Sequence, residues 1–189
     1  MSTLRDYLIQ KRSALLARRE RSKERQAAGQ AGPNELRAVV TAEGRSGIRR
    51  IRIREHQIIS DSPFDFAGYN LGPGSPELQM GILGSCVTHI FLIQAADRQI
   101  PLDSLEVEVR GYTDARRGQP GFENVPIYPH NIQYTVKITS PASREEIDEL
   151  HRLVEANCPI LNLLRAPQVI TGRIELTAPE DAVPQSSAA

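Results

Sequence analysis

From Leu78 to Ala96 the chain is apolar on nearly every helical face, and proline appears only at Pro76, just ahead of it. A helix of that kind has to be covered on all sides, so it dictates what the rest of the chain must supply. Proline in a first helical turn costs little, because its missing N–H would have no helical partner there. Pro76-Glu77 therefore predicts the start of a buried central helix that runs to about Arg98. The longest apolar run, Met80 to Ala96, is interrupted by Ser85, Thr88, His89 and Gln94. It is short for a membrane span and reads as the core helix of a soluble domain. Gly81, Gly84 and Ser85 leave little side-chain bulk just before Cys86, so another backbone can approach there.

The chain has 189 residues and a mass of 21.0 kDa, enough for one domain with an appendage. Thr3 with Asp6 is a capping box, and Leu4, Leu8, Leu15 and Leu16 recur at near-helical spacing, so a helix is expected from Thr3 to about Gln26. Its second half, Ala17 to Gln26, has almost nothing to bury. Ala27 to Asn34 reads as a linker. Leu36–Ala42 and Ile48–Ser60 read as strands around the loop Glu43–Gly47, and strict alternation in Arg50–Arg54 gives one apolar face and one face of guanidinium groups. Asp61–Ser75 is a loop. After the central helix, Leu105–Thr113 and Ile132–Ser140 alternate as strands. Ser143 with Glu146 opens an amphipathic helix to about Ala156, and Asn157-Cys158-Pro159 marks a fresh helix start with Asn157 as N-cap. Val169–Leu176 reads as a last strand, and Thr177–Ala189 as a disordered tail. The expected fold class is α+β, a largely antiparallel sheet around a buried central helix. The expected division is an N-terminal basic helix and linker (1–34), a main domain (35–177) and a tail (178–189).

Lys plus Arg and Asp plus Glu are equal at 23 each, so bulk charge gives no argument for nucleic acid or a membrane surface as partner. The balance hides an asymmetry. Residues 1–57 hold 14 basic and 6 acidic side chains, a surplus of +8 that the remainder cancels. Such opposition favours self-association or docking within the chain. Two cysteines are too few for a disulfide-stapled secreted scaffold, and the first residues contain no apolar leader, so a cytoplasmic protein is expected.

Cys158 stands at a predicted helix N-terminus, where unpaired amides and the helix dipole favour a thiolate. Cys86, inside a buried helix, reads by itself as an inert small hydrophobe. If the two meet across the core they form a reactive and a resolving thiol. His89 shares a helix face with Cys86 and reads as a buried, hydrogen-bonded histidine. Cys86, His89, His151 and Cys158 include zinc-compatible residue types, but C-x2-H followed by H-x6-C is not a familiar zinc spacing, and no metal is expected.

Gly84-Ser85-Cys86 in the apolar helix, Pro76-Glu77 opening it, Cys158-Pro159 after an amphipathic helix, and Gly44-Arg45-Ser46-Gly47 in an early hairpin together resemble the family of osmotically inducible protein C and organic hydroperoxide resistance proteins (OsmC/Ohr). The resemblance covers roughly Leu36 to Leu176. It implies a thiol peroxidase built as an intertwined homodimer with its sites at the subunit interface, reducing organic hydroperoxides. By the same resemblance Cys86 is the peroxidatic cysteine, Cys158 the resolving cysteine, Arg45 the arginine that pairs with the thiolate, and Glu77 the glutamate that holds that arginine. No bound cofactor is implied; an external dithiol or a lipoylated protein would be the reductant. The chain departs from the family in having no histidine shortly before Cys158, His151 lying farther back, and in having Ser75 before Pro-Glu. Two other classes remain open: a non-catalytic ligand-binding or redox-sensing dimer of the same fold, and an interaction module whose basic N-terminal helix binds an acidic partner.

Overall fold

Thr3 caps the first helix as its sequence predicts, its hydroxyl accepting from the Asp6 N–H while the Asp6 carboxylate accepts from the Thr3 N–H. A computed structural model describes residues 3–176. The elements in chain order are α1 (Leu4–Ala27), β1 (Val39–Ala42), β2 (Arg49–Ile53), β3 (His56–Ser60), a 3-10 turn (Phe64–Phe66), α2 (Ser75–Arg98), β4 (Ser104–Tyr112), β5 (His130–Thr139), α3 (Arg144–Asn157) and α4 (Pro159–Arg165). The reading of Thr177–Ala189 as a tail lies outside the described residues.

By length and composition α2 would suit a bilayer, with a mean hydropathy of 1.4 over 18 residues. Here its sides are occupied instead by α1, β4, α3 and α4. Leu83, Val87, Ile90, Phe91, Ala95 and Ala96 of α2 join Leu102, Leu150, Val154, Cys158 and Leu161 in one core. Gly84 permits a close approach to β4, because a Cβ there would stand 3.2 Å from Val109 Cγ2. A Cβ on Gly81 would meet nothing within 4 Å, so only one of the two glycines serves packing. Helix α1 also contributes to the core through Leu8, with Leu4 and Leu15 packed against it. Arg5–Asp103 and Arg19–Asp97 ion pairs tie its basic side to the main domain, which is the intrachain docking that the charge asymmetry favours.

The strands do not form one sheet around the helix. They divide into an antiparallel β1-β2-β3 sheet and an antiparallel β4-β5 pair. Val40, Ile51 and Ile58 stand in register across the first sheet, yet Val40 and Ile58 are 55% and 42% exposed. The apolar face that alternation predicts is present, and no described residue covers it well. In the second sheet Leu105, Val107 and Val109 face the core beside Tyr134, Val136 and Ile138.

Three boundaries differ from the sequence reading. Ile48–Ser60 is a hairpin rather than one strand, because Arg54 takes a left-handed conformation (φ 53°) and reverses the chain with no Gly, Asn or Pro as a signal. Leu36 lies outside β1 and is exposed. Val169–Leu176 makes no strand: its alternating apolar residues find no ladder partner, and Val169 is 96% exposed.

Candidate active site

Cys86 lies midway along α2, half-buried, with its side chain toward the junction of α3 and α4. That junction is Cys158 itself. Its N–H donates to Val154 O (2.8 Å) and closes α3, while its carbonyl accepts from Asn162 N (3.0 Å) and opens α4. The N-cap of α4 is therefore Cys158, not Asn157, whose side-chain amide turns back to Leu153 O (2.8 Å). Cys158 has an extended backbone (φ −79°, ψ 110°) and a fully buried side chain. The two Sγ atoms are 3.4 Å apart, as free thiols.

Burial pushes the Cys86 thiol above its ordinary pKa; the Ile160 N–H, at the start of α4, opposes this by hydrogen bonding to the sulfur, and Cys158 adds to the rise. No arginine is among the groups acting on it. Among the described residues Cys86 thus has a thiol neighbour and no cation beside it.

A hydrogen-bonded chain beside Cys158 went unrecognised in the sequence. Tyr134 on β5 donates to Glu155 Oε1 (2.9 Å), and its oxygen lies 2.7 Å from His151 Nε2. Arg165 on α4 donates to the same Glu155 oxygen (2.9 Å). With the Tyr134 hydroxyl donating its proton toward Glu155, His151 Nε2 is the donor to Tyr134. His151 also stacks on Phe91 of α2, with ring centroids 6.0 Å apart. Burial and then the hydrogen bond to the Glu155 carboxylate drive the Tyr134 hydroxyl far above its usual pKa. Hydrogen bonds from Tyr134 and Arg165 hold Glu155 below the usual carboxylate range, against burial. The sequence did carry a signal: His151 and Glu155 are four apart on α3, and Tyr134 occupies an inward position of β5.

Arg45 and Glu77 are placed elsewhere. Arg45 is exposed in the β1–β2 turn, and among the described residues its side chain makes no hydrogen bond or ion pair. Glu77 is exposed and accepts the Gly74 N–H (2.6 Å), capping α2. The single chain brings Cys86 and Cys158 together and leaves Arg45 and Glu77 apart from them. His89 is exposed on the side of α2 nearest α1, not buried and hydrogen-bonded; partial burial and the charges of Lys11 and Arg18 lower its pKa. Among the described residues no three His, Cys, Asp or Glu side chains converge as metal ligands.

The loop after β3 is organised by buried Asp61, which accepts from the N–H groups of Ser62 (2.8 Å), Tyr69 (3.0 Å) and Leu71 (3.1 Å). It folds so tightly that a Cβ on Gly68 would sit 1.8 Å from Ser62 O. Between β5 and α3 an open groove of about 850 Å³ is lined by Phe91, Ile132 and Ile147 together with Arg144, Asp148 and His151.

A family described as OsmC-like protein matches residues 68–172. Solved structures with a similar fold include an OsmC-like protein from Mycoplasma pneumoniae, at 21% identity and TM-score 0.59, covering 71% of this chain and 89% of that one. Another is described as an osmotic stress induced and detoxification response protein from Psychrobacter arcticus, at 17% identity and TM-score 0.54, covering 69% and 89%. A third, described as an organic hydroperoxide resistance protein from Legionella pneumophila, shows 15% identity and TM-score 0.51, covering 71% and 92%. None of the curated protein sequences matches the chain.

Proposed function

This chain belongs to the OsmC-like protein family, and from that premise we propose that it is a thiol-dependent peroxidase that reduces organic hydroperoxides through Cys86 and Cys158. One observation carries the reading: the only two cysteines, 72 positions apart in sequence, meet with 3.4 Å between their sulfurs. Cys86 is the nucleophile because it is the more accessible of the two.

In the reaction the Cys86 thiolate attacks the distal peroxide oxygen, and the O–O bond breaks. The alkoxide leaves as an alcohol after taking a proton, and Cys86 becomes a sulfenic acid. The Cys158 thiolate then attacks the Cys86 sulfur; hydroxide leaves as water, and a disulfide forms before further oxidation can trap the enzyme. An external dithiol or lipoylated protein returns both cysteines to thiols. The first step needs positive charge at the thiolate, which a fixed guanidinium supplies without losing its proton. In this reading Arg45, held by Glu77, reaches Cys86 of a second copy in an intertwined homodimer. The uncovered Val40–Ile51–Ile58 face supports such a dimer, since it leaves apolar surface exposed in a single chain.

One observation favours the second reading, a ligand-binding or redox-sensing dimer: burial raises the Cys86 thiol, which slows a nucleophile. The test is consumption of cumene hydroperoxide and hydrogen peroxide with excess dithiol, beside Cys86→Ser and Cys158→Ser. Turnover of the organic peroxide that disappears in Cys86→Ser is the expected result. A rate no higher than free dithiol gives would overturn the peroxidase reading in favour of sensing or binding.

A further inference from the structure

The second half of α1 has little to bury, and its charges are not all answered. Arg5, Arg19 and Lys23 have carboxylate partners, whereas Arg18, Arg21 and Arg25 form no ion pair among the described residues. These three recur at helical spacing and lie on one face. After Ala27 the chain does not continue away from the helix. It turns through Gly29, whose φ of 67° is left-handed, and folds back, the Gln30 N–H reaching Arg25 O (2.8 Å) and Arg25 Nη2 reaching Gln30 O (3.2 Å). The result is a concavity of about 540 Å³ lined by Arg18, Arg21, Ser22, Arg25, Gly32 and Asn34.

We propose that this concavity, between the last turns of α1 and the returning linker, binds a small phosphorylated anion that carries at least two negative charges. Three guanidinium groups offer planar forks that match phosphate oxygens, and Ser22 and Asn34 add neutral hydrogen-bonding groups. The volume lies in the range of small-molecule sites. A nucleic acid is the poorer fit: the charges gather at one hollow and do not run along a surface, and the sequence pI is about 6.9. This site is separate from the cysteine pair and does not depend on the peroxidase reading.

The probe is inorganic pyrophosphate, titrated calorimetrically into the full-length protein at low ionic strength. Saturable binding is expected, weakened about threefold to tenfold by each of Arg18→Gln and Arg21→Gln and abolished when Arg25→Gln is added to both. Arg54→Gln, which removes an exposed guanidinium elsewhere, should leave it unchanged. All the substituted side chains are exposed, and unchanged circular dichroism and melting temperature will show that the variants are folded. The proposal is overturned by absence of saturable binding, by equal weakening in Arg54→Gln, by citrate binding as tightly as pyrophosphate, or by a duplex oligonucleotide binding where pyrophosphate does not.

Discussion

Oxidising the Cys86–Cys158 pair should stabilise the fold, and by an amount that the chain itself sets. The bond would close a loop of 72 positions, and the loss of unfolded-chain entropy for a loop of that length is worth about 4.4 kcal/mol at 25 °C. Strain in the folded state subtracts from this. The sulfurs start 3.4 Å apart and must approach to about 2.05 Å, a modest movement because Cys158 is the hinge between two helices. The net gain should be about 3–4 kcal/mol. With a urea slope of about 2 kcal/mol/M, the unfolding midpoint rises by about 1.5–2 M. Linkage makes the effect reciprocal: folding stabilises the disulfide by the same free energy, which lowers its potential by about 65–85 mV relative to the unfolded chain. The assay is urea unfolding of oxidised and reduced protein at one fixed protein concentration, with Cys86→Ser run under both conditions as the control. A gain below about 1 kcal/mol would refute the reasoning, because it would mean that closing the bond pulls α4 out of its packing.

Four further outcomes follow from the site, the core and the docking of α1. If Arg45 of a second copy meets Cys86, the pH midpoint for iodoacetamide alkylation of Cys86 lies lower in the wild type than in Arg45→Gln, because a cation favours the thiolate that burial disfavours; equal midpoints exclude that role. Tyr134→Phe leaves His151 and Glu155 without their shared partner and should cost about 1–3 kcal/mol in urea unfolding, with faster alkylation of Cys158; no change in either would show that the hydrogen-bonded chain does not hold the corner. Leu8→Ala should cost about 2–4 kcal/mol, since Leu8 is 5% exposed in the core. Arg19→Ala should cost less than about 1 kcal/mol, since its pair with Asp97 is substantially exposed; the reverse order would mean that charge and not packing docks α1.

The helices were legible because capping and periodicity are local. Thr3 with Asp6, Pro76 with Glu77 and Ser143 with Glu146 all mark starts that the structure places within a residue or so. The strand reading failed where the decisive fact was not local. Nothing in Val169–Leu176 says that no edge will accept it, and nothing in Arg54-Glu55 announces a reversal that only the pairing of Ile51 with Ile58 reveals. The same limit applied to the site. Cys86 and Cys158 stand out as the only thiols, but the chain from His151 through Tyr134 and Glu155 to Arg165 draws on three elements and becomes visible only when β5, α3 and α4 are assembled. Charge asymmetry pointed to intrachain docking without naming the pairs, because which arginine reaches Asp97 depends on how α1 lies along α2.

The 72 positions between the cysteines are also an interval of time. At about 5–20 residues per second, a ribosome needs roughly 4–14 s to extend the chain from one to the other. Throughout that interval Cys86 exists without its neighbour, and α2 without α4 to cover it. An oxidant that reaches the nascent chain then meets a thiol that has no intramolecular route to a disulfide, so a sulfenic acid formed during synthesis can only wait for Cys158, react with an outside thiol or oxidise further. Under the proposed peroxidase reading, the thiol that would protect Cys86 is made only after that interval.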